Sequence, residues 1–223
     1  MNAIVVPIKE PAGAKTRLAE FMSADERQRL AWAMFLDVTR ALADVEDCAT
    51  VFVVTSYDRA ARHGRAKGFG VLYENQQSSE SASVDWASAI LAARGFDSVL
   101  RLPADVPLVR GRDIQALLLT DLAGAGAIMV PSRDGSGTNA ILRHPPRLFD
   151  SRFGPNSLTL HIAEAQRAGA MHLIVPNERI ALDIDEPADI EALLEHGAGT
   201  ETYQVLTEIG APSRFRSQLR GRV

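Results

Sequence analysis

Residues 23–55 read SADERQRLAWAMFLDVTRALADVEDCATVFVVT, and this stretch decides the fold class. From Ser23 to Val45 it reads as a helix. Ser23 can cap the first turn, and Glu26 stands three residues on, the spacing of a capping box. Leu30, Met34, Val38 and Leu42 recur every fourth residue and draw one apolar stripe. Thr50–Thr55 then runs through β-branched and aromatic residues with no polar alternation. That pattern belongs to a strand buried on both faces, hence to a sheet covered by helices on both sides.

The same rhythm extends outward. Ala3–Pro7 (AIVVP) is a strand ahead of the first helix. After Thr55 the chain predicts a helix over Tyr57–Lys67, a strand over Gly70–Glu74 and a helix over Ser83–Arg94 that Gly95 closes. A strand over Ser98–Leu102, a helix over Asp113–Leu122 and a strand over Ala127–Pro131 follow. Ser132–Asn156 breaks the pattern: it is rich in Gly, Pro, Ser and Asn, and a hairpin over Asn139–Leu142 is expected there. A helix over Ser157–Arg167, a strand over His172–Val175 and a helix over Pro187–Glu195 complete the series. Strands alternating with helices of 10–15 residues imply an α/β fold with a mostly parallel central sheet.

The chain has 223 residues, one cysteine and a net charge of −4. At about 150 residues per domain this is one domain with elaborations, which we set at 1–196. Residues 197–223 hold four arginines (Arg214, Arg216, Arg220, Arg222) against Glu201 and Glu208, a basic extension of net +2 on a body of −6. An oligomerisation arm that would make a homodimer, a cationic cover over the site and a disordered end are its three readings. The acidic balance excludes a globally basic nucleic-acid binder. Cys48 has no partner, which excludes a disulfide framework and a cysteine zinc site and leaves it an expected buried, inert thiol. No stretch approaches the roughly 18 apolar residues of a membrane span, and Met1–Lys9 does not read as a signal peptide, so a cytoplasmic setting is expected.

Ligands of open parallel sheets sit beyond the carboxyl ends of the strands. Beyond the first strand lies KEPAGAKTRL (9–18), with Lys9, Lys15 and Arg17 in a loop marked by Pro11 and Gly13. It is either a solvated turn or a phosphate contact. No Walker A or dinucleotide-binding glycine pattern is present. Beyond the fourth strand, Asp105 stands in LPADVPL (102–108), where a carboxylate suits Mg²⁺ or, alternatively, an Asx turn before Pro107. In ALDIDEP (181–187), Asp183 and Asp185 alternate along an extended segment and so face one way. Paired carboxylates repel unless a cation lies between them. Asp185 or Glu186 could serve only as a helix cap, but Asp183 has no such role. The loops DGSGTN (134–139) and RFGPNS (152–157) could each turn amides toward an anion, and Ser157 would open a helix. Ser81 or Ser83 is the expected cap of the helix near 83. The five histidines show no ligand spacing and read as structural or surface residues.

Taken in order, VPIKEPAGAKTRL, LPADVPLV, DGSGTNAIL, RFGPNSL and LDIDEPADIEALL resemble the CofC/FbiD family, guanylyltransferases of deazaflavin coenzyme F-420 biosynthesis. The resemblance covers roughly residues 1–195. It implies a three-layer nucleotidyltransferase fold of the nucleotide-diphospho-sugar transferase type. By similarity, Asp105, Asp183 and Asp185 would hold Mg²⁺, and Thr138, Gly154 and Ser157 would bind a phosphorylated carboxylic acid. Lys15 and Arg17 would lie against the GTP triphosphate. Members use phosphoenolpyruvate, 2-phospho-L-lactate or 3-phospho-D-glycerate, and the serines of 78–83, as possible partners for an extra hydroxyl, tilt the expectation toward 3-phospho-D-glycerate. Glu186 departs from the Thr or Ser expected before the helix proline, which weakens that cap. The alternatives are a nucleotidyltransferase for a sugar phosphate or molybdopterin, and a non-catalytic nucleotide-binding protein.

Overall fold

The computed structural model describes residues 1–45, 48–211, 213 and 214. Seven strands form one sheet: β1 (Asn2–Pro7), β2 (Thr50–Thr55), β3 (Gly70–Tyr73), β4 (Ser98–Arg101), β5 (Gly126–Pro131), β6 (Thr138–His144) and β7 (Met171–Ile174). Their spatial order is β3-β2-β1-β4-β6-β5-β7. All pairings are parallel except those of β6, which runs antiparallel to β4 and to β5. The irregular segment thus holds a full seven-residue strand instead of a hairpin confined to Asn139–Leu142. It is inserted into the middle of the sheet, with Arg101 opposite Ile141 and Val130 opposite Ala140.

The sheet is covered on both faces, as the unalternating strands require. Along β1, Ile4 and Val6 join one core cluster while Ala3 and Val5 join another, the period of two that sends neighbours to opposite faces. On the first face lie α1 (Ala24–Ala43), α2 (Asp58–Ala66) and α4 (Gly111–Leu119), through Phe35, Val38, Ala60, Ile114 and Leu117. On the other lie α3 (Glu80–Ala93), through Ala87 and Leu91, and α5 (Ser157–Arg167), through Ala165. The three-layer α/β architecture is therefore the expected one.

Local chemistry sets the helix ends. The capping box of α1 forms as read: Ser23 Oγ accepts from Glu26 N at 3.2 Å and Glu26 Oε2 from Ser23 N at 2.8 Å. The expected caps of α3 do not form. Ser79 caps it instead, accepting from Ala82 N at 3.1 Å, while Ser83 Oγ lies inside the helix and donates to the buried Glu74 at 2.8 Å. Glu186 makes up for its departure from Ser or Thr through Asp189, whose carboxylate accepts from the amides of Asp185 (3.1 Å) and Glu186 (2.8 Å) at the start of α7 (Pro187–His196). Cys48 is half-buried rather than fully enclosed.

The described part of 197–223 packs against the body. Asp37, buried in α1, accepts from Glu201 N (2.8 Å), Thr202 N (2.9 Å) and Thr202 Oγ1 (2.6 Å) at the first turn of α8 (Glu201–Glu208). Leu206, Ile209 and Ala211 enter the same cluster as Leu18, Leu30, Met34 and Ile190. Of the four arginines of this segment only Arg214 lies within the described residues, where it pairs with Glu26 at 2.8 Å.

Candidate active site

The carboxyl edge of the sheet gathers the loops after β1 and β4 and the segment between α6 (Glu178–Ala181) and α7. The amide of the buried Ile184 donates to the carbonyl of Asp105 at 3.2 Å and ties the second of these to the third. With Ile184 turned inward, Asp183 and Asp185 project together as their alternation predicts. Asp105, Asp183 and Asp185 each offer an oxygen within 4.8 Å of the others.

Lys15 stands in this cluster. Its Nζ is 2.6 Å from Asp105 Oδ2 and 2.6 Å from Asp185 Oδ1, and its side chain is 9% exposed. Its backbone is left-handed (φ 54°, ψ 46°), a conformation that costs a non-glycine residue about 1–3 kcal/mol and that clusters at functional sites. Burial works against the ammonium, but the two carboxylates outweigh it and raise the Lys15 pKa above its ordinary value. Burial likewise works against Asp105, and Lys15 outweighs it, leaving that carboxyl below the usual range. Asp183 differs: burial, then the charges of Asp105 and Asp185, push its pKa up against a hydrogen bond of 3.0 Å from Asn139 Nδ2. One ammonium is thus shared between two of three carboxylates, so negative charge remains in excess and Asp183 retains an unmet demand for positive charge.

Two cavities meet here. The first, of about 520 Å³, is bounded by the loop from Pro7 to Lys15, by Gln77 and by the start of α3. Lys9 and Lys15 line it. Gln77 Oε1 accepts from Ser56 Oγ at 3.1 Å, and its buried Nε2 has no acceptor among the described residues. The second, of about 560 Å³, is bounded by the loops at 132–138 and 153–157 and by Asp183 and Asp185. Glu80, Arg101, Pro103 and Asp105 form the wall common to both.

Thr138, Gly154 and Ser157 all line the second cavity, and so does Arg17, 67% exposed at its rim and 3.2 Å from Glu186. Arg17 does not border the first cavity. The loop at 134–139 is not an open ring of amides. Asp134 accepts from Ser136 N at 3.0 Å, Ser132 Oγ from Gly137 N at 2.7 Å, and Ser157 Oγ from Thr138 N at 2.8 Å. Ser132 Oγ (2.6 Å) and Ser136 Oγ (2.7 Å) also donate to Asp134, and these bonds, led by that of Ser132, take the Asp134 pKa down to about 2. The hydroxyls of Ser132 and Ser136 are thus spent within the loop, and Thr138 and Ser157 are left as its hydroxyls toward the cavity. Gly154, at φ 127°, makes the turn before α5 that only glycine adopts without strain. The serines of 78–83 do not line this second cavity; Ser81 Oγ accepts from Phe153 N at 3.0 Å instead.

His161 escaped the reading by ligand spacing. It is fully buried; Arg152 N donates to its Nε2 at 2.8 Å, which leaves Nδ1 protonated and donating to Thr138 Oγ1 at 2.9 Å. Burial, then Arg143 and Arg101, lower its pKa to about 4, so it is neutral at pH 7. Thr138 Oγ1 already accepts, which leaves its own proton available to donate. The signal in the sequence is positional: His161 is four residues after Ser157, one turn along the same helix face.

Comparison with known proteins shows the family and the fold. The model of a family described as "Guanylyl transferase CofC like" matches residues 2–223, which includes the segment beyond 196. The chain is 29% identical over 218 residues to a 2-phospho-L-lactate guanylyltransferase of Methanothermobacter thermautotrophicus, covering 96% of this chain and 95% of that one. It is 33% identical over 211 residues to a phosphoenolpyruvate guanylyltransferase of Conexibacter woesei (92% and 95% covered). It is 31% identical over 221 residues to a 3-phospho-D-glycerate guanylyltransferase of Phenylobacterium zucineum (98% and 100% covered). In fold it matches a crystal structure from Desulfovibrio desulfuricans G20 assigned to the nucleotide-diphospho-sugar transferases, with a TM-score of 0.76 over 97% of each chain at 21% identity.

Proposed function

The chain belongs to the CofC-like guanylyl transferases, and from that premise we propose that it transfers GMP from GTP to a three-carbon phosphorylated carboxylic acid in coenzyme F-420 biosynthesis. The observation that carries this reading is the common wall: two cavities, one for each anionic substrate, meet at Asp105 beside a carboxylate cluster with charge to spare. GTP occupies the first cavity and the acid the second. The free Nε2 of Gln77 favours guanine, whose O6 and N7 both accept, over adenine, which has a donor at position 6.

Asp105, Asp183 and Asp185 would hold Mg²⁺, whose preference for oxygen ligands and few protein carboxylates suits this set. When bound, it supplies Lewis-acid polarisation of phosphoryl oxygens. The acceptor arrives with its nucleophile made, because a phosphate monoester with a second pKa of about 6 is mostly dianionic at pH 7. One of its oxygens attacks the α-phosphorus of GTP. The new P–O bond forms as the bond from that phosphorus to the bridging oxygen breaks, and pyrophosphate carries away the electron pair. No proton has to move, which accords with a neutral, buried His161. The protein's task is to bring anions together: Lys15 offsets Asp105 and Asp185, and the hydroxyls of Thr138 and Ser157, each already accepting a bond, donate to the acceptor. Arg17, at the rim of the second cavity, would meet the charge of the acid.

The acceptor is 3-phospho-D-glycerate, phosphoenolpyruvate or 2-phospho-L-lactate. The serines that tilted the expectation toward the first lie away from the second cavity and no longer favour it. Purified protein with GTP and Mg²⁺, given each acid alone and then all three in competition, is expected to release pyrophosphate and form a phosphoanhydride visible by ³¹P NMR. Absence of both with every acid overturns the reading.

A further inference from the structure

Arg101 ends β4, one wall shared by both cavities, and its side chain is only 7% exposed. Its guanidinium lies over the Phe153 ring, 4.4 Å from the centroid, and Nη1 donates to the carbonyl of Asn139 at 2.6 Å. Both neighbours belong to the second cavity and neither borders the first. The other edge of the guanidinium, Nε with Nη2, is half used. Nη2 donates to a single oxygen of Glu80, and Nε is buried without an acceptor among the described residues.

A charged donor left unpaired in a buried position is costly. The Nε/Nη2 edge is the planar fork that takes both oxygens of a carboxylate at once. Glu80 fills it with one oxygen only, from the exposed first turn of α3, its side chain 38% exposed.

We propose that Arg101 receives the carboxylate of the acceptor acid on its Nε/Nη2 edge, and that Glu80 holds this edge when no acceptor is bound. This rests on the transferase reading for the identity of the ligand. The acceptor has two anionic ends. Its phosphate goes to the cluster at Asp105, Asp183 and Asp185, where it reacts, which leaves the carboxylate for the one enclosed guanidinium on the same wall. Entry of the acid displaces Glu80 toward solvent and gives Nε its missing acceptor. Arg101 therefore selects acids over uncharged analogues of the same length.

Arg101→Gln, Arg101→Lys and Glu80→Gln, each checked for folding by circular dichroism, test this through acid binding by calorimetry and through steady-state kinetics. Arg101→Gln is expected to weaken the acid, in Kd and KM, by about tenfold or more while the Kd of GTP stays unchanged. Arg101→Lys keeps the charge but not the fork and is expected to fall between. Glu80→Gln, at the half-exposed first turn of α3, is expected to lower the KM of the acid about threefold, the size of contribution a partly exposed ion pair makes. Wild-type preference for the acid over glycerol 3-phosphate should shrink in Arg101→Gln. If turnover is normal but the acid KM and this preference are unchanged in both Arg101→Gln and Glu80→Gln, the assignment is overturned and the transferase reading stands. If no acid turns over, yet acid binding depends on Arg101, the transferase reading fails and the assignment stands. If the wild type binds none of the acids, both fail.

Discussion

Lys15 Nζ lies 2.6 Å from Asp105 Oδ2, across 90 residues of sequence, and joins the loop after β1 to the loop after β4. Lys15 is enclosed and Asp105 is 30% exposed, so removing the ammonium leaves a partly buried carboxylate uncompensated. Such losses cost about 3–5 kcal/mol when the site is dry. Lys15→Met is therefore expected to lower the melting temperature by several degrees and kcat by about a hundredfold or more, the scale on which electrostatic stabilisers act. A variant that melts like the wild type and retains turnover would show that the pair is ornamental.

Asp183 is expected to trade stability for function. Its pKa is raised, by burial first and then by Asp105 and Asp185, so its ionisation opposes folding. The sign follows from linkage: the folded state binds its proton more tightly than the unfolded chain, and stability falls as pH rises through the folded pKa. Without metal, Asp183→Asn is expected to melt above the wild type at pH 7, while turnover is lost. Added Mg²⁺ should raise the wild-type melting temperature and leave that of the variant nearly unmoved. A differential scanning fluorimetry series with EDTA and with Mg²⁺ decides it, and a lower melting temperature for Asp183→Asn in EDTA counts against the reading.

His161 carries the opposite sign. A histidine with a pKa of about 4 when folded and about 6.5 when unfolded binds fewer protons in the folded state. Its contribution is complete above pH 6.5 and is withdrawn as pH falls toward 4, by up to about 3 kcal/mol. His161→Asn is expected to flatten the loss of stability between pH 6.5 and 4 in urea titrations. The variant should also raise the KM of the acid with little change in GTP affinity, because Thr138 loses the donor that fixes its hydroxyl. Parallel urea midpoints for the two proteins across that range would remove His161 as the acid-sensitive group.

Asp37 holds α8 to α1 by three hydrogen bonds to one buried carboxylate. Asp37→Ala leaves the Thr202 hydroxyl and two amides without that acceptor, a loss of about 1–3 kcal/mol. It is expected to expose α8 to limited proteolysis before the rest of the chain, with GTP affinity preserved. Proteolysis at the wild-type rate would mean that the apolar contacts of Leu206 and Ile209 suffice.

Which of these features can be read without coordinates depends on how local their causes are. The Ser23–Glu26 box and the stripe from Leu30 to Leu42 act within a few turns, and they form as their spacing says. The strands β1, β2 and β4 need only their own apolar runs. The insertion of β6 between β4 and β5 is different, since strand order follows from pairing partners far apart in sequence. The three carboxylates could be listed because each ends or follows a predictable element. That Lys15 turns in among them depends on a left-handed backbone at one residue, which no propensity encodes for lysine. Glu80 and Arg101, and Asn139 against Asp183, are side-chain encounters between distant segments, and only the packed structure brings them into view.

The reversed course of β6 has a structural economy. Every other strand of this sheet arrives at the reacting edge with its last residue, whereas β6 arrives with its first, Thr138 and Asn139. One strand thus delivers Thr138 to the second cavity and the donor to Asp183 without a crossover helix. The loop that feeds it, residues 132–137, touches neither β1 nor the Lys15 turn through any pairing of the sheet. Its ties run instead to the segment that carries two of the carboxylates, Arg133 N to the carbonyl of Ala181 at 3.0 Å and the Arg133 guanidinium to Asp189 at 3.4 Å, so a change in this loop reaches the second cavity and that segment before it reaches the first cavity.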